Sequence, residues 1–476
     1  CLDGALNACA RAGEWEACLS LLSEARDWGT EPGKVSYSVA ISACARGRRW
    51  ERALSLLTEM QEAGIVPDVV TFNSAIKACG DGGQWRHAVA LLNYMVKRAG
   101  VVPDLITYGT AIKACGDGGQ WERALALLEE VPSAVGVAVE GAGAICFAAA
   151  IKACGDAGRW EEAAGLLARM GMSAAGLAPG VIGYNTAIAA CGAGGQWQEA
   201  VGLLEEMRRS GVRPDIRSYT ATIKACRIGR QWEPAVGLLR ASVRAGLKPD
   251  VVCYQEVLSA YAGSGRWEQA IELLREMPGA GVKPNAFSYN AVISACAVEQ
   301  WERAVALLAE MQAVGVTPNV YSYNSVINAF RHGKQWERAV SLLKEMLRVG
   351  VSPDEVTLSS AIAACGGCGQ WEQAMALFRA MPTLHVPPTT TAFKAAMKAC
   401  GDAGRWRETE SLLGEMAEAG AAAAGVAPDV IGYTAAIKAC GDAARWEEAL
   451  ALLREMPDVG VKPTARSFAA AIGACE

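Results

Sequence analysis

The sequence predicts an all-α protein, an α-solenoid of about 13 stacked helix-turn-helix repeats of about 35 residues each. Three observations predict it. Tryptophan recurs at Trp15, Trp50, Trp85, Trp121, Trp160, Trp197, Trp232, Trp267, Trp301, Trp336, Trp371, Trp406 and Trp446, with longer steps at 121–160, 160–197 and 406–446, and only Trp28 lies outside the series. Within each step, two stretches carry apolar residues at helical spacing on either side of a turn. Cysteine keeps the same register at Cys9, Cys44, Cys79, Cys115, Cys154, Cys191, Cys226, Cys296, Cys365, Cys400, Cys440 and Cys475.

One unit, residues 69–104, shows the grammar. Phe72, Ala75, Ile76 and Cys79 give a first helix one apolar face, and Gly82-Gly83 ends it. Trp85, Ala88, Leu91, Leu92 and Met95 mark a second helix, which Gly100 closes. Pro103-Asp104 leads into the next unit, where Asp104 is placed to cap the following helix. Two such helices cannot bury both stripes alone, so each pair must stack on the next. The whole chain, 1–476, is therefore expected to form a single array. Its units begin near residues 1, 34, 69, 105, 144, 181, 216, 251, 286, 320, 355, 390 and 430, with a partial unit at 465–476. Gly/Ala-rich additions at 131–143, 171–180 and 417–425 are expected to be surface loops between helix pairs. Residue 1 already falls inside a unit, so the chain reads as truncated, and the lack of a leader says nothing about targeting.

Composition bounds the function. A hydrophobic content of 52% is ample for a continuous core, and no apolar stretch approaches the roughly 20 residues of a membrane span. The net charge of −5 argues against a polycation that coats nucleic acid, yet leaves room for a local basic stripe. Tyr261 and Phe330 stand where other units have cysteine, so that place accepts any apolar side chain, and the thiols read as buried small hydrophobes in a reducing compartment. Cys365-Gly-Gly-Cys368 has no second ligand pair nearby, which makes it a weak metal site. The repeated Trp always opens the second helix, so packing explains it better than stacking on bases. Its removal should cost roughly 3–5 kcal/mol locally.

The pattern Val-Val-Thr-Phe-Asn-Ser-Ala-Ile, Gly-Gly-Gln-Trp, Ala-Leu-Leu and Gly-Val-Val-Pro-Asp resembles the pentatricopeptide repeat, and the likeness recurs in every unit. Tetratricopeptide repeats also run at about 34 residues but carry their Trp in the first helix. The resemblance implies a right-handed superhelix that binds single-stranded RNA, one base per repeat, as a P-type array with no appended catalytic domain. It further implies a role in organellar RNA processing, stabilisation, splicing or translation, in chloroplast or mitochondrion. Protein effectors would be further partners. No membrane, small-molecule substrate, metal or cofactor is expected. With only His87, His332 and His385, and no His-x-Glu followed by Cys-x-x-Cys, no zinc deaminase signature is present, nor is a P-loop or nucleophile elbow.

Against the monotony of the repeat, two positions vary: the residue after the first-helix aromatic and the residue that closes the unit. The family's pairing rule makes these the base readers. Ser38 with Asp68 and Thr220 with Asp250 would favour guanine. Asn73 with Asp104, Asn185 with Asp215 and Asn324 with Asp354 would favour uracil, and Asn290 with Asn319 a pyrimidine. Gly109/Gly143 and Ala148/Gly180 have no side chain to read with, and Gln255/Asn285, Ser359/Thr389, Lys394/Asp429 and Thr434/Thr464 stay unread. The implied preference is G-U-N-N-U-G-N-Y-U. Three residues before the reader, Val35, Val70, Ile106, Ile145, Ile182, Val252, Val356 and Ile431 would sandwich the base, whereas Arg217, Phe287, Tyr321 and Thr391 depart from that type.

Four residues after the reader, Lys77, Lys113, Lys152, Lys224, Lys398 and Lys438 form a stripe suited to tracking phosphates, worth a log–log salt slope near −4 for about six contacts. Asp81, Asp117, Asp156, Asp402 and Asp442 lie close by and would repel phosphate. Two other readings stay open. One is a helical-repeat scaffold that holds a protein or peptide in the same groove; the other is the targeting part of a longer enzyme.

Overall fold

The computed structural model describes residues 2–27, 29, 31–135, 142–171, 179–297, 300–422 and 428–475, so Trp28 lies outside the described residues. The protein is an all-α helical-repeat solenoid, with no strand among the described residues. It forms two compact units, Cys1–Val257 and Leu258–Glu476, which divide within the helix Val251–Gly263.

In the first unit the first helices of successive repeats are Leu2–Ala12, Lys34–Arg46, Val69–Asp81, Leu105–Asp117, Ala142–Asp156, Val181–Ala193 and Ile216–Ile228. In the second they are Ala286–Cys296, Val320–His332, Glu355–Gly366, Thr390–Asp402, Val430–Asp442 and Ala465–Gly473. Every second helix opens on one of the repeated tryptophans, from Trp15–Asp27 to Trp446–Asp458. Within each unit, first helices pack directly on one another. Second helices pack between their own first helix and the next one, as Trp50–Glu62 does between Lys34–Arg46 and Val69–Asp81.

Small residues make the first-helix row possible. A Cβ on Gly116 would lie 2.7 Å from the Ala153 Cβ, one on Gly155 2.6 Å from Ala190, and one on Gly366 2.7 Å from Ala399. The expected core is where the period put it. Phe72, Ala75, Ile76, Cys79, Ala88 and Met95 are fully buried and Leu92 nearly so, while Leu91 and Trp85 are half-buried at the edge. Tyr261 and Phe330 are buried in the cysteine register.

Tryptophan works between repeats rather than within the core. The indole of Trp50 lies against Gly82 of the next repeat, where an added Cβ would meet its Cδ1 at 2.5 Å. Trp15 with Gly47, Trp85 with Gly118, Trp160 with Gly194, Trp197 with Gly229 and Trp301 with Gly333 repeat the contact. Where arginine precedes the next Trp, its guanidinium covers the outer face: Arg49 over Trp15 at 4.8 Å, Arg159 over Trp121 at 4.9 Å and Arg405 over Trp371 at 4.5 Å.

Three boundaries differ from expectation. The repeat expected from 144 starts its helix at Ala142, so Gly143 lies inside the first turn instead of closing the preceding repeat. Two of the additions expected to be loops are partly helical: Trp121–Val135 runs into 131–143, and Trp406–Ala422 runs into 417–425. The alanine-rich run 417–422 has high helix propensity and prolongs its second helix, whereas Val-Pro-Ser-Ala-Val at 131–135 continues its helix without that bias. Residues 136–141, 423–425 and 172–178 of these additions lie outside the described residues.

Candidate functional site

Most first helices present the same short sequence of environments. Thr71, Thr107, Ser218, Ser322 and Thr357 are wholly buried, and Phe72, Tyr108, Tyr219, Tyr323 and Leu358 that follow them are buried too. The residue three before the polar position points outward. Val35, Val70, Ile106, Ile145, Ile182, Val252, Val356 and Ile431 are all exposed, with Ile182 at 73% and Val70 at 65%. Arg217 and Thr391 are exposed at the same place, as are Phe287 and Tyr321. Exposed branched aliphatics at this place in eight repeats, on helices otherwise tightly packed, leave apolar surface along the first helices of each unit.

The polar pairs are brought together in four repeats. The Asn73 amide donates to Asp104 Oδ1 at 3.2 Å, Asn185 to Asp215 at 3.1 Å and Asn324 to Asp354 at 3.1 Å. Asn290 donates to Asn319 Oδ1 at 3.2 Å. These acceptors also cap the next helix: Asp104, Asp215 and Asp354 each accept the backbone N–H three residues on, from Thr107, Ser218 and Thr357. Burial alone would raise these carboxyls. The hydrogen bonds from the capped N–H, the hydroxyl and the asparagine amide outweigh it and hold Asp104, Asp215 and Asp354 below the usual carboxylate range.

Among the described residues no hydrogen bond joins Ser38 to Asp68 or Thr220 to Asp250. Ser38 Oγ donates back to the Lys34 carbonyl and meets Thr71 Oγ1 at 2.6 Å. Asp68 binds Thr71 and forms an ion pair with Lys34 at 2.9 Å. Thr220 Oγ1 donates to the Ile216 carbonyl and lies 2.7 Å from the Cys253 thiol, and Asp250 caps Cys253. In one of the four repeats left unread, Lys394 forms an ion pair with Asp429 at 2.7 Å.

All six lysines are exposed, but they divide into two groups. Lys113 pairs with Asp81 at 3.9 Å, Lys152 with Asp117 at 3.2 Å and Asp156 at 3.3 Å, and Lys438 with Asp402 at 2.8 Å. Lys77, Lys224 and Lys398 make no ion pair among the described residues. The place one repeat back that holds aspartate for the first group holds Arg46, Ala193 and Gly367 for the second. Three of the aspartates that the sequence set against phosphate, Asp81, Asp117 and Asp402, are thus partners of the next repeat's lysine, while Asp156 pairs with Lys152 of its own helix.

Cavities open between neighbouring first helices along this face. One of about 450 Å³ is bordered by Ile182, Asn185, Lys152 and Arg217. Another of about 510 Å³ is bordered by Arg217, Thr220, Lys224, Asp250 and Val252. A third of about 600 Å³ lies among Ile431, Thr434, Lys398, Lys438 and Arg466. Each gathers, from adjacent repeats, a residue of the outward aliphatic place, one of the polar place and a lysine. No group of His, Cys, Asp and Glu among the described residues is arranged to hold a metal ion.

Sequence reasoning passed over two features. The buried hydroxyls of Ser322 and Thr357 each touch both members of the polar pair before them, while those of Thr107 and Ser218 touch only the closing aspartate, and the recurrence of Ser or Thr at this place was the available signal. The lysine–aspartate pairing joins residues about 35 apart, a spacing that becomes meaningful only once first helices are known to be neighbours.

Comparison with known proteins agrees with this geometry. Models described as PPR repeat family match residues 40–81, 67–117, 179–227, 249–298 and 322–367. A PPR repeat model matches 5–30, 106–134, 145–173, 287–316, 356–386 and 391–420, and a pentatricopeptide repeat domain model matches 419–476. The chain belongs to the pentatricopeptide repeat family. Among solved structures it is similar to the pentatricopeptide repeat protein PPR10 from maize, at 24% identity and a TM-score of 0.62 over 98% of this chain and 75% of that one. It is also similar to PPR10 in complex with an 18-nt psaJ RNA element, at 22% identity and a TM-score of 0.56 over 99% of this chain and 76% of that one. No curated protein matches the chain.

Proposed function

We propose that the chain binds single-stranded RNA along the row of first helices, one base per repeat, with the preference G-U-N-N-U-G-N-Y-U. The observation that carries this reading is the exposed aliphatic that stands three residues before the polar position in eight repeats, beside a joined polar pair in the repeats of Asn73, Asn185 and Asn324. An apolar side chain at that place suits the face of an unstacked base, and the neighbouring amide and carboxylate suit its edge. A similar fold that holds an 18-nucleotide RNA supports the same use here. In the family this activity serves organellar RNA processing, stabilisation, splicing or translation, and we place the chain in that setting, in chloroplast or mitochondrion, as one array over 1–476.

The division of the lysines refines the electrostatics. Lys77, Lys224 and Lys398 take the phosphate contacts, while Lys113, Lys152 and Lys438 spend their charge on aspartate. Those neutralised lysines favour the second reading, a scaffold for a protein or peptide, in the repeats from 105 to 180. Titration of labelled G-U-N-N-U-G-N-Y-U RNA against a scrambled oligonucleotide at one fixed salt separates the two. RNA reading requires tighter binding of the first by about tenfold or more, equivalent to 1.4 kcal/mol. Equal or absent binding of both favours the scaffold.

A further inference from the structure

The base-reading pair has a third member. In the repeat read by Asn324, the buried Thr357 hydroxyl donates to Asn324 Oδ1 and lies 2.7 Å from Asp354 Oδ1, while it accepts the Asp354 backbone N–H at 3.2 Å. Ser322 does the same for Asn290, with 2.6 Å to Asn290 Oδ1 and 3.1 Å to Asn319 Oδ1. A hydroxyl has one proton, so only one of these oxygens receives it at a time. When the asparagine oxygen receives it, the amide is held at both ends: Oδ1 by the hydroxyl and Nδ2 by the closing residue. Its remaining N–H then has one direction left.

In the repeats read by Asn73 and Asn185 the proton goes the other way. Thr107 and Ser218 donate to Asp104 and Asp215 at 2.7 and 2.9 Å. Asn73 Oδ1 and Asn185 Oδ1 are then buried with no hydrogen-bond partner. The two arrangements are one triad with its proton in two places.

A serine or threonine follows all four asparagine readers, as Thr107, Ser218, Ser322 and Thr357. After the two repeats with no polar reader, Gly109/Gly143 and Ala148/Gly180, the same place holds Cys146 and Gly183. Helix capping does not explain that difference, because Cys253 and Gly432 are capped through their N–H groups without a hydroxyl.

We infer that the buried hydroxyl at the third residue of the following first helix is a positioning residue for base discrimination: it fixes the orientation of the reading asparagine before the base arrives. The inference rests on the RNA-reading proposal and adds a residue that touches no base. The test uses the full chain, RNAs that differ only at the base read by Asn324, and three proteins: the parent, Thr357→Val and Thr357→Ser. Valine keeps the shape and removes the proton, whereas serine restores it. The expected result is that preference for uracil at that place falls from about tenfold to about twofold in Thr357→Val and recovers in Thr357→Ser. A purely structural role would lower the melting temperature and weaken all RNAs alike, leaving the preference intact. That outcome, or valine retaining the parent's preference, overturns the inference. Ser322→Ala, read at the base facing Asn290, gives the same decision if Thr357→Val does not fold. A parent chain with no preference at either base would instead refute the RNA reading itself.

Discussion

The residues of the polar pairs serve two purposes, and acid should expose the first of them. Asp104, Asp215 and Asp354 have folded pKa values held below the unfolded value of about 3.9. Their contribution is complete above that value and is lost as pH falls through the lower folded values. Thermal unfolding followed by circular dichroism should therefore show a flat melting temperature from pH 5 to 8 and a fall below about pH 4. Asp354→Asn, which keeps a cap acceptor, should make that acid fall shallower. The thiols offer a second residue-scale check. Burial pushes Cys44, Cys79, Cys115, Cys154, Cys191, Cys226, Cys253, Cys296, Cys365 and Cys400 up to about 11. With these thiols protonated and covered, a thiol reagent at pH 8 should label Cys475, Cys9 and Cys368 first, and the others only on unfolding. Rapid labelling of Cys79 in the folded protein would contradict the packing described.

At the scale of the helix, the turn glycine and the preceding repeat's tryptophan are one device. Gly118→Ala places a Cβ 2.5 Å from Trp85 Cδ1 and should destabilise by about 1–3 kcal/mol. Trp85→Ala removes the obstruction, so in the double variant the glycine substitution should cost much less than it does alone. Additive effects by urea unfolding would show that the indole does not press on this turn. The periodic pattern made the helices legible: Val69–Asp81 and Trp85–Lys97 lie where apolar spacing and glycine placed them. The glycine–indole contact was hidden because Gly82 read only as a breaker, when its neighbour is Trp50 of another repeat. Ala142 and the helical part of 417–425 were misjudged for a different reason, since alanine propensity outlasts the apolar stripe that marks the helix. The exposed row from Val35 to Ile431 was legible as a position, but its exposure depended on how first helices stack.

Over the whole molecule, charge placement matters more than the net −5. Six free lysines imply a log–log salt slope near −4 for single-stranded RNA, but three engaged by Asp81, Asp117 and Asp402 leave a slope near −2. A measured slope of about −4 would mean that those ion pairs open on binding. The central claim, one base for one repeat, is tested most directly by recoding a single repeat. Asn324→Thr would give that repeat the threonine–aspartate pair found at Thr220 and Asp250. Binding should then be measured with four RNAs that differ only at the facing base. The account predicts that the preference moves from uracil to guanine by roughly tenfold, about 1.4 kcal/mol, with every other place in the RNA read as before. If all four RNAs weaken together, or uracil stays preferred, the repeats do not read bases singly.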